Sequence, residues 1–383
     1  MSAFSRADNS GLARWWWTVD RWMLLLLLLL VSLGLWMTLT ASPAVAEKLG
    51  LDRLHFFLRQ VVFLGLSLLV VLGVSVMPVT LVRRGAILAF PLTLVLMGLT
   101  LLVGPDIKGA TRWLPVGPFT LQPSEFMKPV FIVTIAWLLS ARFQDGALPV
   151  KRISLALFAV VATLLVLQPD FGQTILVGVV WLAQMTLAGL PVMWLLLAAV
   201  ALVLALGVAY ALVPHVADRI DTFINPASGD TYQTETAIRA FEAGGLIGRG
   251  PGEGSVKAVL PDAHTDYIFA VVGEEFGAIA GVLLMALFAG IVLRGLSQLV
   301  EEDDPFRLLA TAGLLVQFGL QAMINIGVNL AVLPAKGMTL PFISYGGSSM
   351  LALALTIGMV LAFTRRNRFL RPATLGLPVG RHA

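Results

Sequence analysis

Residues 261–276 read PDAHTDYIFAVVGEEF, and they join the longest polar segment of the chain to an apolar run that continues to residue 294. Asp266 lies just before this run, whereas Glu274 and Glu275 lie about two helical turns inside it. A carboxylate at the boundary between water and lipid is costly unless it has a partner or a function. The stretch therefore predicts a membrane-spanning helix that begins beside a functional carboxylate, Asp266.

The composition extends this prediction to the whole chain. Of 383 residues, 58% are hydrophobic and only 13% are charged, and the mean hydropathy is +0.90. Such a composition excludes a water-soluble domain of this length and is typical of a polytopic α-helical membrane protein. The chain has no cysteine, which excludes disulfide bonds, thiol catalysis and thiolate metal sites.

Repeated apolar runs predict an all-α protein with about ten transmembrane helices. The first run follows Arg21 and is longer than the roughly 7–15 residues of a signal-peptide core, which favours a membrane span over a cleaved signal. The predicted spans lie near residues 22–41, 57–78, 84–104, 123–141, 152–168, 172–189, 191–213, 266–294, 308–333 and 343–364.

The basic residues predict the orientation of these spans. Arginine and lysine concentrate in one set of connections, which the positive-inside rule places in the cytoplasm together with both termini. The predicted organisation is a cytoplasmic segment at 1–21, a ten-helix membrane domain at 22–365 and a cytoplasmic tail at 366–383. Residues 214–265 are predicted to form one long periplasmic loop between the seventh and eighth spans, folded against the membrane because it is partly apolar.

Two patterns in this loop could suggest ligand sites. The glycine-rich residues 248–254 lack the Gly-Lys-Ser/Thr ending and the preceding strand of a nucleotide-binding loop, so we predict a mobile turn. Asp262, His264 and Asp266 alternate along the chain, and an extended backbone would bring them to one side as metal ligands, whereas a helix would separate them. We therefore assign no metal site made by the protein alone.

Charged residues at the predicted outer ends of the helices suggest an anion-binding site. Glu125 and Lys128 are spaced i, i+3 and share a helix face, where they form an ion pair, contact a substrate, or do both. Arg112 and Lys336 lie in separate loops at the outer boundary. Together with Lys128 they would form a basic rim suited to a phosphate or pyrophosphate group.

The remaining candidates lie near the same boundary. Glu274 falls nearer the face of Asp266 than Glu275 does, so it could tune the pKa of that carboxylate or bind a cation, whereas Glu275 is predicted to form a structural ion pair. Small residues after Ser344 and Tyr345 open a helix whose backbone amides favour anions. The complete prediction is a catalytic Asp266 with substrate contacts from Arg112, Glu125, Lys128, Gln168, Asp170, His264, Glu274, Lys336, Ser344 and Tyr345.

This set of residues suits a substrate with a lipid tail, an anionic linkage and a polar head. Transfer of a group from a lipid-linked pyrophosphate needs a base for the attacking hydroxyl and cations for the leaving group. Asp266 fits the first role, and the three cations of the predicted basic rim fit the second. The residues alone leave transport of the same lipid as an equal alternative.

Five motifs follow one another along the chain: GATRWL at 109–114, QPSE at 122–125, QPDFG at 168–172, AHTDYIFA at 263–270 and LPAKGMTLPFISYGGSS at 333–349. In this order they resemble the SEDS family (shape, elongation, division and sporulation), and its division member more than its elongation member. The resemblance implies an inverting peptidoglycan glycosyltransferase that polymerises lipid II, an undecaprenyl-pyrophosphate-linked disaccharide-pentapeptide, with Asp266 as the essential aspartate.

The resemblance also implies a location and partners. The location is the outer face of the bacterial inner membrane at the division septum. The partners are membrane lipid, a class B penicillin-binding protein transpeptidase (FtsI for the division member) and the FtsQ–FtsL–FtsB complex, with no nucleic acid. A divalent cation, Mg²⁺ or Mn²⁺, could assist at the pyrophosphate. Two alternatives stay open: a lipid II flippase and a non-catalytic scaffold of the division machinery.

Overall fold

A computed structural model describes residues 10–106, 109–117, 119–141, 149–191, 231–334 and 337–366, with isolated positions between 193 and 221. Within these ranges the regular structure is helical apart from one short antiparallel β-hairpin. The elements are α1 (Gly11–Thr18), α2 (Arg21–Lys48), α3 (His55–Val76), α4 (Val79–Val103), β1 (Leu114–Val116), β2 (Phe119–Leu121), α5 (Pro123–Ala141), α6 (Val150–Leu167), α7 (Phe171–Leu187), α8 (Tyr232–Gly244), a 3₁₀ helix (Val256–Ala258), α9 (Ile268–Ser297), α10 (Pro305–Asn329) and α11 (Gly347–Thr364).

The described helices confirm a polytopic all-α membrane protein. Eight of them, α2 to α6 and α9 to α11, are long and apolar enough to cross a bilayer. Helix α7 is apolar but shorter, and it coincides with the sixth predicted span. Most of the seventh predicted span, 191–213, lies outside the described residues. The orientation of the termini and the domain limits stay predictions.

Helices α5, α10 and α11 form the centre of the bundle, because most of their residues are buried. Their buried side chains include polar and charged ones such as Lys128 and Asn329. Helices α3 and α4 are peripheral and expose large apolar side chains, such as Leu88 at 75%. This arrangement fits a bundle in lipid, where apolar side chains face outward and polar groups must find partners inside the protein.

The hairpin brings two central helices together at one end of the bundle. β1 and β2 precede α5 directly, and Leu114 pairs with Leu121. Ser348, in the first turn of α11, accepts a hydrogen bond from the backbone N–H of Gln122 at 3.2 Å and donates to the carbonyl of Thr120 at 3.0 Å. The first turns of α5 and α11 are therefore fixed next to each other.

Helix α9 is interrupted at Gly277, whose backbone (φ 80°, ψ 175°) is not helical. An interruption frees backbone N–H and C=O groups, and lipid has no donors or acceptors to satisfy them. Residues 245–250 of the long loop run alongside the interruption and supply the missing partners. The backbone bonds are Arg249 N–H to Glu274 O and Gly250 N–H to Glu275 O, both 3.0 Å, Ala278 N–H to Gly245 O, 2.9 Å, and Ile279 N–H to Leu246 O, 3.2 Å.

This docking corrects one sequence-based expectation. We predicted a mobile turn at 248–254, because glycine permits many backbone conformations. The structure instead packs the start of that stretch against a membrane helix. A Cβ on Gly248 would lie 2.2 Å from the carbonyl oxygen of Glu275, so the glycine is needed for close approach of two backbones.

Substitution of Gly277 by alanine tests this contact. The added Cβ would lie 2.3 Å from the carbonyl oxygen of Leu246, and a φ of +80° disfavours any side chain. We expect Gly277→Ala to lower the free energy of unfolding by about 1–3 kcal/mol, measured by thermal unfolding in detergent. The matched control is Gly85→Ala in α4, where a Cβ meets no atom within 4 Å and stability should hold or rise. Equal midpoints for the two variants would contradict the expectation.

Candidate active site

A cavity of about 450 Å³ opens beside the turn that precedes α9. Its walls come from residues 109–113, the first turns of α5 and α8, the turn at 262–267, and residues 337–349. Segments far apart in sequence thus converge on one space. Four of the predicted site residues line it: Arg112, Glu125, Asp266 and Tyr345.

Asp266 lies on the cavity wall in the turn that leads into α9, and it is half-buried. Its carboxylate lies near Gly337, because a Cβ built there would be 3.2 Å from Oδ2. The Asp266 backbone carbonyl accepts hydrogen bonds from the side-chain amides of Asn325 and Asn329, each at 2.9 Å. The predicted base is therefore carried by a turn that is bonded to the adjacent helix α10.

Arg112 is the basic side chain that lines the cavity within the described residues. Its guanidinium donates to the backbone carbonyls of Gln168, at 3.2 Å, and Pro169, and its Nε lies 3.7 Å from a carboxylate oxygen of Asp170. Burial raises the pKa of Asp170, and the nearby guanidinium opposes that rise. Gln168 and Asp170 lie behind Arg112 and hold it, whereas we had predicted that both contact the substrate.

The predicted ion pair between Glu125 and Lys128 is confirmed, with Lys128 Nζ 2.8 Å from Glu125 Oε2. Lys128 Nζ also donates to Gln321 Oε1 at 3.0 Å, and Glu125 Oε1 accepts from Gln173 Nε2 at 2.6 Å. The Lys128 side chain is 1% exposed, so its ammonium lies beneath the cavity wall. Lys128 therefore does not belong to the predicted basic rim, and Lys336 lies outside the described residues.

Glu274, for which the sequence predicts a substrate contact, does not line the cavity. It is fully buried, and its carboxylate accepts the backbone N–H groups of Val256 at 2.7 Å and Lys257 at 2.8 Å. Glu275 pairs with the Lys257 ammonium, which confirms its predicted structural ion pair. The same ammonium donates to the carbonyl of Thr40 in α2 at 2.9 Å. Both glutamates thus fasten the long loop to the bundle.

Three further candidates lie around the turn that carries Asp266. Ser344 Oγ donates to the carbonyl of Thr265 at 2.5 Å, and the Tyr345 N–H donates to the carbonyl of His264 at 2.9 Å. The rings of His264 and Tyr345 pack on Phe56, with centroid distances of 4.5 and 5.3 Å. Burial lowers the pKa of His264 to about 4, so the ring is neutral at neutral pH. Tyr345 reaches the cavity, whereas His264 and Ser344 hold the turn.

Sequence reasoning missed several polar residues of the site. Uncharged polar side chains line the cavity, but the sequence does not mark them as site residues because such residues are common in loops and at helix starts. The asparagines that bond to Asp266 could have been found from the sequence, because amide side chains recur at every fourth residue of an apolar helix. The missed polar lining residues include Gln122, Gln233, Thr265, Thr339, Ser348 and Ser349, and the amide row is Gln317, Gln321, Asn325 and Asn329.

Known proteins place this architecture in a family. The family model for FtsW, RodA and SpoVE, described as cell cycle protein, matches residues 20–369. The chain belongs to this family. Curated relatives named probable peptidoglycan glycosyltransferase FtsW include one from Caulobacter vibrioides, 45% identical over 98% of this chain and 95% of its own length. Another, from Thiomicrospira cyclica, is 37% identical over 92% of this chain and 93% of its own length.

Solved structures of the family share the fold. A chain of a peptidoglycan synthase complex that coordinates polymerization and crosslinking is 28% identical, with a TM-score of 0.71 over 90% of this chain and 97% of that one. The Thermus thermophilus rod shape determining protein RodA is 26% identical, with a TM-score of 0.68 over 90% and 96% of the two chains. The predicted resemblance to the SEDS family, and to its division member, is confirmed.

The buried ion pair predicts a specific pattern of stability. Lys128→Met leaves the Glu125 carboxylate buried without its cation, so we expect the free energy of unfolding to fall by about 3–5 kcal/mol. The double variant Glu125→Gln with Lys128→Met removes both charges and should recover most of that loss. Thermal unfolding followed by tryptophan fluorescence in detergent measures both. A double variant as unstable as Lys128→Met would show that the pairing does not set the stability.

Proposed function

We propose that the chain is a peptidoglycan glycosyltransferase that polymerises lipid II into glycan strands at the outer face of the bacterial inner membrane during septal cell-wall synthesis. The observation that carries the proposal is that the Asp266 carboxylate and the Arg112 guanidinium line one cavity. The relatives named peptidoglycan glycosyltransferase support the reaction class. The apolar helices around the cavity suit a substrate whose anchor is a lipid.

In the proposed reaction Asp266 is the general base. It takes the proton of the 4-hydroxyl of an acceptor sugar while that oxygen attacks the anomeric carbon of the lipid-linked donor. The new glycosidic bond forms with inversion as the bond from the anomeric carbon to the pyrophosphate breaks. The lipid pyrophosphate leaves with the bonding electrons, and Arg112 stabilises its charge.

A leaving pyrophosphate brings more negative charge than one guanidinium can balance. Arg112 is the only cationic side chain among the described lining residues, and the Glu125 carboxylate there is already paired with Lys128. The first turn of α11 adds partial positive charge, because its N-cap Gly346 has no side chain to satisfy the helix amides. We propose that Lys336 and a divalent cation, Mg²⁺ or Mn²⁺, supply the rest.

A divalent cation would bind together with the substrate. No group of three His, Asp or Glu side chains in the described part of the chain could hold a metal ion alone. Pyrophosphate oxygens would therefore complete the ligand shell begun by the cavity carboxylates, as is usual for Mg²⁺. The cation would neutralise the leaving group.

The proposed partners follow from the reaction. Glycan strands must be cross-linked after polymerisation, and the similar synthase complex coordinates polymerization with crosslinking. We therefore propose a class B penicillin-binding protein, FtsI, as the partner transpeptidase, and the FtsQ–FtsL–FtsB complex as the activator at the septum.

Asp266→Asn tests the base. We expect polymerisation of purified lipid II by the protein with its transpeptidase to fall at least about 100-fold, since a general base commonly contributes 10²–10⁴-fold. Glu253→Gln, an exposed carboxylate in the long loop, is the control and should keep the wild-type rate. An Asp266→Asn protein that is folded, bound to its partner and fully active would remove Asp266 from the mechanism.

The same variant separates the alternatives. A flippase would move labelled lipid II across liposomes at a rate independent of Asp266. A non-catalytic scaffold would support growth with Asp266→Ala whenever partner recruitment is intact. Loss of polymerisation with intact recruitment fits only the glycosyltransferase.

Removal of divalent cations tests the proposed charge compensation. We expect EDTA to reduce polymerisation by at least about 10-fold, and added Mg²⁺ or Mn²⁺ to restore it, because the leaving pyrophosphate would lose its counter-ion. The assay uses lipid II and the complex with its transpeptidase. Undiminished polymerisation in EDTA would exclude the cation and assign all of the compensation to the protein.

A further inference from the structure

Helix α10 carries a row of four amide side chains at four-residue intervals, Gln317, Gln321, Asn325 and Asn329, and each is at most 1% exposed. This spacing places them on one face of the helix. A buried amide in a membrane helix is costly unless its hydrogen bonds are made. The two members nearest the C-terminus of α10 make theirs to the turn that carries Asp266.

Asn329 bonds both to that turn and to the first turn of α9. Its Oδ1 accepts the backbone N–H of Ala270 at 3.0 Å, and its Nδ2 donates to the carbonyl of Asp266 at 2.9 Å. The orientation of the amide is fixed, because a backbone N–H requires an acceptor opposite it. The N-cap residue of α9 makes no side-chain capping bond. Asn329 therefore caps α9 from a neighbouring helix.

Asn325 joins the same turn to a neighbouring segment of the cavity wall, residues 337–339. Its Nδ2 donates to the carbonyl of Asp266 at 2.9 Å and to the carbonyl of Met338 at 2.6 Å. Gln321, one turn away, donates to the carbonyl of Thr339 at 3.2 Å. One face of α10 thus sets the separation between the Asp266 turn and residues 337–339.

We propose that Asn325 and Asn329 are positioning residues that hold the Asp266 carboxylate against the attacking hydroxyl. The proposal rests on the role of Asp266 as the base. Neither asparagine is among the lining residues of the cavity, so both act through the backbone of Asp266. A shift of about 1 Å in a reacting group can cost about 100-fold in rate, so loss of either bond reduces turnover more than substrate binding.

The test compares alanine variants of the two asparagines. We expect Asn329→Ala and Asn325→Ala each to lower kcat for lipid II polymerisation by about 10- to 100-fold, with KM within about threefold of wild type. Because both amides bond to one carbonyl, the double variant should lose less than the product of the single effects. Asn325→Ala leaves the Asn329 cap on α9 intact. It therefore still tests the proposal if the Asn329→Ala protein folds poorly.

Gln184→Ala is the matched control. Gln184 is also a fully buried amide that donates to two backbone carbonyls, those of Ile132 at 3.0 Å and Leu309 at 3.1 Å, but it does not bond to the Asp266 turn. We expect it to lower the melting temperature as the asparagine variants do, with kcat within about twofold of wild type. A kcat loss like that of the asparagine variants would show that general destabilisation explains both.

Combining the asparagine variants with Asp266→Asn distinguishes a failure of this inference from a failure of the proposed function. With Asp266→Asn, the group to be positioned is gone, so adding Asn329→Ala should leave the residual rate unchanged. Wild-type kcat for both asparagine variants, with Asp266→Asn inactive, would overturn the positioning role and leave the base in place. Full activity of Asp266→Asn would overturn the base itself.

Discussion

The hydrocarbon interior of a membrane supplies no hydrogen-bond partners, so every polar group placed there must be satisfied by the protein. Three features of the structure follow from this constraint. The interruption of α9 at Gly277 is completed by loop backbone. The Lys128 ammonium is enclosed by Glu125 and Gln321. The carbonyl of Asp266 is held by amides from α10. The second and third features lie behind the wall of the cavity.

The constraint separates the groups that face the cavity from those that support it. Among the predicted site residues, Asp266, Glu125, Arg112 and Tyr345 reach the cavity. Gln168 and Asp170 hold Arg112 from behind, at the junction of α6 and α7. Supporting residues of this kind are expected in a site that must keep its geometry beside fluid lipid. The side chains that contact a substrate are positioned only as precisely as the groups that orient them.

Much of this could be predicted from the chain alone. Apolar length predicted the spans, and spacing of three residues predicted the Glu125–Lys128 pair, because both signals depend on local helix geometry. The sequence could not predict how deeply each charged side chain lies relative to the cavity. Whether Lys128 lines a cavity or lies beneath it depends on packing against α10, and the partners of Glu274 come from the long loop, 17 and 18 residues earlier in the chain. The interruption at Gly277 was hidden because glycine is common in membrane helices.

The repair of α9 by residues 245–250 has a consequence for biosynthesis. A nascent chain enters the membrane from its N-terminus, so the loop leaves the ribosome before the helix that it completes. When the interrupted helix α9 enters the membrane, the loop backbone that completes its hydrogen bonds has therefore already been synthesised. A reporter or epitope inserted within residues 245–250 would break the backbone bonds that complete α9 and leave its freed backbone groups unsatisfied in the bilayer.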